Sequence, residues 1–204
     1  GLNFPLVKLV GIISADTGLQ LPDFRAAERT FNLIVQVSGR AGRFHPDGKV
    51  VVQTFQPESE TIRLAAAGKL EEFYEKELDV RRQLGFPPFT RLARLVLRSR
   101  SSAKAWSAAQ TVAGELNGPE QGGTASKAAD SGEASRGEAA RGAVEVLGPA
   151  ECPLATVAGN HRVQLLLRSA GLGPLHRRLR AALNGYVPPA GVHLEVDVDP
   201  VSLL

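Results

Sequence analysis

The sequence contains few of the residues that hold metals or form disulfides. It has one cysteine, Cys152, and four histidines, which are separated from one another along the chain. A single cysteine excludes an internal disulfide and a cysteine-rich zinc site, and the histidines lack the close spacing of zinc ligands. We therefore predict no metal site in this chain and a reducing, cytoplasmic environment.

Methionine and long apolar runs are also absent. The sequence starts at Gly1 and contains no methionine, so we expect it to be a fragment of a longer chain. No apolar stretch approaches the roughly 18 residues of a membrane span, and no signal peptide is recognisable. We therefore expect no membrane partner.

Charge of one sign is not in large excess. Lys and Arg total 24 against 21 Asp and Glu, which gives a net charge of +3 and an isoelectric point of about 9.3. This balance permits a nucleic-acid partner but does not require one. Binding sites therefore have to be found in local patterns.

The first 56 residues follow a strand–helix–strand pattern. Leu6–Ser14 is an apolar run of strand length, a helical stripe runs from Asp23 to Gly39, and Lys49–Phe55 is a second strand. This order is typical of the end of a parallel sheet, so we predict an α/β unit over residues 1–56. Residues 57–89 then read as a helical connector, with an amphipathic helix that ends at Gly85.

The remainder, residues 90–204, has a regular order of elements. We predict a strand at Thr90–Arg98, a helix at Ser102–Leu116 with Ser102 as its cap, strands at Ala143–Gly148 and His161–Arg168, a helix at Pro174–Gly185 and a strand at Val192–Asp199. Residues 118–142 are rich in Gly, Ala and Ser, and we predict a disordered insertion there. The order βαββαβ predicts a ferredoxin-like α+β domain.

Alternation along these strands places polar side chains on the sheet face away from the helices. In this topology the first and third strands are neighbours, so Arg94, Arg98, Arg162 and Arg168 are predicted to share an open face, which is a candidate nucleic-acid surface. The alternative is that Arg94 and Arg98 pair with Glu195 and Asp197 across the adjacent strand.

The stretch QVSGRAGR, Gln36 to Arg43, places two arginines three residues apart, each behind a glycine. A guanidinium group matches the geometry of phosphate oxygens, so a bound phosphate is one interpretation. The other is a basic helix terminus that is favoured by the helix dipole. The sequence contains no GxxxxGK[ST] loop that would hold a nucleotide beside these arginines.

Several segments carry a resemblance to one family. QVSGRAGR is similar to helicase motif VI, and GLNFPLVKLVGIISADTGLQLPDFRAAER is similar to a motif V region. Together with FYEKELDVRRQLGFPPFTRLARL, VLGPA and DVDPVSLL, they resemble the PriA family (primosomal protein N′) of bacterial replication-restart helicases, within superfamily 2. The resemblance covers nearly the whole chain except the insertion.

The resemblance implies roles for individual residues. Residues 1–56 would be the end of the second RecA-like motor lobe, and residues 90–204 a DNA-binding domain. The catalytic residues would be Gln36, Arg40 and Arg43 of motif VI, and the two arginines would contact the γ-phosphate of ATP held by the other motor lobe. The residues that couple ATP to DNA would be Asp16, Gly18, Asp23 and Arg25.

The resemblance also implies the wider function. The full-length protein would be an ATP-dependent 3′→5′ DNA helicase that restarts stalled forks and assembles the primosome, and the fragment alone would lack ATPase activity. ATP and Mg²⁺ would be bound mainly by the missing lobe, and the zinc ligands of the full-length family are absent here. Expected partners are forked and single-stranded DNA, single-stranded-DNA-binding protein and primosome components, in the bacterial cytoplasm at the nucleoid. The alternative is a non-catalytic DNA- or protein-binding module.

Overall fold

The computed structural model describes residues 8–41, 48–118 and 143–204, with Arg40 and Ala41 described by their backbone alone. The chain divides into two compact units, Gly1–Leu84 and Gly85–Leu204. Among the described residues, no helix is long and apolar enough to cross a lipid bilayer.

The first unit is built on two parallel strands joined by a helical crossover. Its elements are β1 (Leu9–Ile12), α1 (Asp16–Leu19), α2 (Ala26–Ala41), β2 (Lys49–Val52), α3 (Glu60–Ala66) and α4 (Leu70–Leu84). β1 and β2 pair in parallel, from Leu9 opposite Lys49 to Ile12 opposite Val52. A parallel pair requires a long crossover, and α2 lies within it. The predicted strand–helix–strand order is therefore present.

Two boundaries differ from the prediction for a local reason. β2 ends at Val52 and not at Phe55, because Thr54 and the Phe55 backbone turn to bind the carboxylate of Asp16. α2 starts at Ala26 and not at Asp23, because the Asp23 carboxylate accepts the backbone N–H of Arg25 in a turn before the helix. In both places a side chain competes with the regular backbone pattern.

The core of the first unit extends beyond the predicted boundary at residue 56. Phe31 of α2 stacks on Phe73 of α4 with the ring centroids 4.0 Å apart and the planes within 9°. Ile62 and Leu64 of α3 are buried in the same cluster. The segment predicted as a connector is therefore divided, with residues 57–84 in the first unit and 85–89 in the second.

The second unit is a four-stranded antiparallel sheet with two helices. Its elements are β3 (Arg91–Ser99), α5 (Ser102–Asn117), β4 (Val144–Val157), β5 (Asn160–Ser169), α6 (Leu172–Leu183) and β6 (Val192–Val198). The strand order is β4-β5-β3-β6, so the first and third strands of the unit are central neighbours. The predicted βαββαβ order and the mixed α/β class of the chain are confirmed.

The helix-facing side of this sheet forms the core of the unit. Ala93, Leu95 and Leu97 of β3 are fully buried, and so are Leu165 and Leu167 of β5. The same side of β6 is more open, because β6 lies at the edge of the sheet. Its Val196 is 44% exposed.

Three details of the second unit differ from the prediction or lie outside the described residues. β4 continues past Gly148 to Val157, because two register shifts let the strand bend and go on pairing with β5. The cap of α5 is Ser101 and not Ser102: its hydroxyl oxygen accepts the Lys104 N–H at 3.4 Å, from an extended backbone before the first helical turn. Of the predicted insertion 118–142, only Gly118 is described.

Candidate functional sites

Asp16 lies where the chain leaves β1, and its side chain is buried. Its Oδ1 accepts a hydrogen bond from the Thr54 hydroxyl at 2.6 Å, and its Oδ2 accepts one from the Phe55 N–H at 2.8 Å. These two hydrogen bonds lower the pKa of Asp16 below its ordinary value of 3.8. The Asp16 carboxylate therefore links the segment after β1 to the segment after β2 by two hydrogen bonds.

The sign of this pKa shift predicts how the first unit responds to acid. Because the pKa of Asp16 is lower in the folded than in the unfolded chain, its contribution to stability is complete above pH 3.8 and is lost as pH falls through the folded pKa. We expect the free energy of unfolding of Asp16→Asn to fall less than that of the wild type as the pH is lowered through this range, because the variant has no carboxylate to protonate at this position. Urea unfolding between pH 2 and pH 7, roughly the range in which carboxyls titrate, measures the pH dependence of the free energy of unfolding.

Asp79 provides the matched control for Asp16. It is a solvent-exposed carboxylate on α4 that pairs with Arg82 at 2.7 Å. Asp79→Asn is expected to keep the acid dependence of the wild type. Equal acid dependence of Asp16→Asn and the wild type would contradict the role of Asp16.

Gly18 lies against α2 where a side chain has no room. A Cβ atom at this position would lie 2.4 Å from the hydroxyl oxygen of Thr30, which is buried in α2. The glycine therefore allows α1 and α2 to approach closely. A glycine at this position is therefore a packing requirement.

Asp23 and Arg25 shape the start of α2. The Asp23 side chain is fully buried, its Oδ1 accepts the Arg25 N–H at 2.9 Å, and its Oδ2 pairs with Arg29 Nη1 at 3.1 Å. The guanidinium carbon of Arg25 lies 5.3 Å from the centroid of the Phe24 ring. Asp16, Gly18, Asp23 and Arg25 thus all hold the segment that leads from β1 into α2.

Gln36 to Ala41, the described part of QVSGRAGR, lie at the other end of the same helix. Gln36 is exposed on α2, Arg40 belongs to its last turn, and Arg43 lies outside the described residues. From Arg25 to Arg40 the helix axis spans about 20 Å at 1.5 Å per residue. One helix therefore connects the segment after β1 with Arg40.

Arg94 is a correction to the predicted open sheet face. Only 6% of this residue is exposed, and its guanidinium group lies beneath the C-terminal segment. Nε donates to Gln164 Oε1 at 3.1 Å, and Nη1 donates to the backbone oxygens of Ser202 at 3.3 Å and Leu204 at 2.7 Å. Arg94 pairs with main-chain and amide oxygens, so it is an internal residue and not part of a surface.

Arg168 is also engaged within the unit. Its Nε and Nη2 donate to Glu145 Oε2 at 2.8 and 2.6 Å, and Nη1 donates to the Gly85 oxygen at 3.3 Å. Glu145 lies directly opposite on β4. This arginine fastens the edge strand and the start of the unit to β5.

Arg98 and Arg162 remain on the accessible part of the face. They are direct cross-strand partners on β3 and β5, and His193 of β6 lies opposite Arg98 on its other side. Arg98 Nε pairs with Glu195 Oε1 at 2.7 Å, and the Arg98 side chain is 43% exposed. Arg162 Nη1 donates to the Leu154 oxygen at 3.4 Å. The pairing of Arg98 with Glu195 is the alternative expected from the sequence.

The segment that covers Arg94 was not predicted from the sequence. The signal is present in the sequence, since Val201, Leu203 and Leu204 form an apolar group after the last strand. A second missed feature is Arg81 of α4, which lies among acidic residues and is 9% exposed. Among the described residues, no group of three His, Cys, Asp or Glu side chains is arranged to hold a metal ion.

Comparisons with known proteins assign a family. Residues 82–201 match the family model for the primosomal protein N C-terminal domain. The replication restart protein PriA of Treponema pallidum is 43% identical over 204 residues, which is all of this chain and 28% of that protein. The PriA of Bacillus subtilis is 34% identical over 207 residues, again covering all of this chain and 23% of its own length.

This chain thus spans about a quarter of the length of the relatives that it matches. The family model covers more than half of the chain, and the matching relatives extend the similarity through both units. The chain therefore belongs to the family of the primosomal protein N C-terminal domain, the PriA family.

Proposed function

We propose that this chain is the C-terminal part of an ATP-dependent 3′→5′ DNA helicase that acts in replication restart. The observation that carries the proposal is the similarity, over the whole of this chain, to proteins named replication restart protein PriA. This similarity includes the QVSGRAGR segment as well as the second unit. In this proposal the two units have separate roles. The first takes part in ATP hydrolysis, and the second binds DNA.

The first unit would act on ATP through the far end of α2. Gln36, Arg40 and Arg43 would reach the γ-phosphate, and the two guanidinium groups would stabilise the charge that develops as water displaces ADP from the phosphoryl group. The described residues offer no acidic cluster for Mg²⁺, and the whole sequence has no phosphate-binding loop. ATP and Mg²⁺ would therefore bind mainly to another lobe of the longer protein.

The same reasoning applies to zinc. The chain has one cysteine, and Cys152 is buried beside Arg94, with its Sγ 3.9 Å from Arg94 Nη2. The residues present do not fit a zinc site, so the zinc of the family would lie elsewhere in the longer protein.

The second unit would bind DNA through Arg98 and Arg162. Their positions opposite each other on two central strands support this, because paired cations on an accessible sheet face suit a phosphate backbone. Forked and single-stranded DNA, single-stranded-DNA-binding protein and primosome components would be the partners, at the bacterial nucleoid. Arg94 and Arg168 are not part of this proposed surface, because both guanidinium groups donate hydrogen bonds within the unit.

The DNA surface makes a measurable prediction. Arg98→Gln with Arg162→Gln in the 204-residue chain is expected to weaken binding to a labelled DNA fork and to reduce the slope of log K against log salt by roughly 1 to 2. Fluorescence anisotropy at several salt concentrations measures both quantities.

The matched control removes two arginines from the opposite side of the unit. Arg177 and Arg180 are exposed on α6, and their replacement by Gln changes the net charge equally. This variant is expected to keep most of the salt slope. If the control variant bound the DNA fork as weakly as the Arg98/Arg162 variant, net charge and not the sheet face with Arg98 and Arg162 would determine DNA binding.

A further inference from the structure

Arg81 occupies an internal position at the contact between α4 and α2. Its Nη2 pairs with Glu28 Oε2 of α2 at 2.7 Å, and its Nε pairs with Glu77 Oε1 of α4 at 2.8 Å. Its guanidinium carbon lies 5.4 Å from the centroid of the Phe24 ring. One side chain thus contacts the start of α2 and Phe24, which lies two residues before the helix.

The geometry of these contacts requires a guanidinium group. Two different nitrogens bind two carboxylates from different helices, while the planar face lies toward an aromatic ring. A lysine ammonium group is a single point charge and cannot reproduce this fork. Buried ion pairs of this kind add little net stability compared with apolar packing, and in some proteins they specify a single geometry.

A second contact to α2 lies about two turns back along α4. Phe73 stacks on Phe31, and the Tyr74 ring is tilted against Phe31 with centroids 6.3 Å apart. The aromatic contact sets the distance between the helices. Arg81 fixes the angle between the axes of α2 and α4, because it pairs with Glu28 in the first turn of α2, before the aromatic contact at Phe31.

We infer that Arg81 is a positioning residue for α2, and that through this helix it sets the place of Gln36 to Ala41, the part of QVSGRAGR that belongs to α2. The inference rests on the proposed function, in which that segment acts on ATP. From Phe31 to Arg40 the helix extends about 14 Å, so a tilt of roughly 10° at the aromatic contact moves Arg40 by about 2 Å. Misplacement of a catalytic group by about 1 Å is enough to cost on the order of a hundredfold in rate.

The first test uses ATP hydrolysis by the longer protein with forked DNA. Arg81→Met is expected to lower kcat at least tenfold while the KM for ATP stays within about twofold, because positioning and not ATP binding is lost. Glu28→Gln, a smaller change, is expected to lower kcat in the same direction. The double variant is expected to lose no more than Arg81→Met alone, since both remove one interaction.

Lys76 is the matched control on the same helix. It pairs with Glu60 and Glu72 on the exposed side of α4, and neither partner belongs to α2. Lys76→Met removes a cation from α4 and is expected to leave kcat unchanged. A kcat of wild-type size in a folded Glu28→Gln or Arg81→Met protein would overturn the inference.

The second test does not depend on ATP hydrolysis. In the 204-residue chain, hydrogen exchange of the amides of residues 26–35 is expected to rise about tenfold in Arg81→Met and to stay unchanged in Lys76→Met. Unchanged exchange in Arg81→Met would overturn the inference even if the longer protein hydrolyses ATP. Absence of ATP hydrolysis in the wild type would contradict the proposed function, and the exchange result would still decide the role of Arg81.

Discussion

Replacing Arg43 with alanine in the longer protein is expected to reduce DNA-stimulated ATP hydrolysis by about a thousandfold or more. In the proposed mechanism this guanidinium group acts together with that of Arg40 on the charge that develops on the transferred phosphoryl group, and Arg40 alone would leave part of that charge unstabilised. Because the interaction forms in the transition state, the loss is expected in kcat and not in the KM for ATP. Steady-state turnover with saturating forked DNA measures it.

DNA affinity separates this result from general damage to the protein. Arg43→Ala is expected to bind forked DNA as tightly as the wild type, since the proposed DNA surface lies on the second unit. Arg63, an exposed arginine on α3, is the control, and Arg63→Ala is expected to keep full turnover. Normal turnover in Arg43→Ala would remove Arg43 from the catalytic role.

The second large effect is expected from Arg94. Arg94→Ala is expected to destabilise the second unit by about 3 to 5 kcal/mol, because it removes the buried partner of several oxygens at once. The Ser202 and Leu204 backbone oxygens and the Gln164 amide oxygen would lose their donor. Urea unfolding followed by Trp106 fluorescence measures the change, since this single tryptophan packs against the core of the second unit.

A surface arginine on the same strand provides the comparison. Arg91 pairs with Asp199 at 3.0 Å with half of its side chain exposed, so Arg91→Ala is expected to cost at most about 1 kcal/mol. Near-wild-type stability of Arg94→Ala, together with a loss of DNA affinity, would contradict the internal role of Arg94. It would return this residue to the DNA surface.

The order of elements could be read from the sequence because it depends on local periodicity. The alternation of Val163 and Leu165 with Arg162 and Gln164 marks a strand with one buried face, and the structure places both apolar residues in the core. The ferredoxin-like topology follows from the element order and from the rules for connecting strands. Neither inference needs contacts between residues far apart in the sequence.

What could not be read from the sequence depends on long-range contacts. Alternation placed Arg94 on a polar face, but a segment more than a hundred residues later covers it, with Arg94 bound to the Ser202 and Leu204 oxygens. The packing of α4 also depends on a distant partner, because Phe73 stacks on Phe31 of α2. The candidate site residues show the same contrast. Local hydrogen bonds explain the position of Asp23, whereas the proposed catalytic role of Arg43 rests on family resemblance.

The central claim is that this chain contributes to an ATP-hydrolysing site that it cannot form alone. The most direct test compares ATP hydrolysis by the longer wild-type protein and by the isolated 204-residue chain, both with Mg²⁺ and forked DNA. We predict turnover by the longer protein and none by the isolated chain. Turnover by the purified isolated chain, or its absence in the longer protein, would contradict the account.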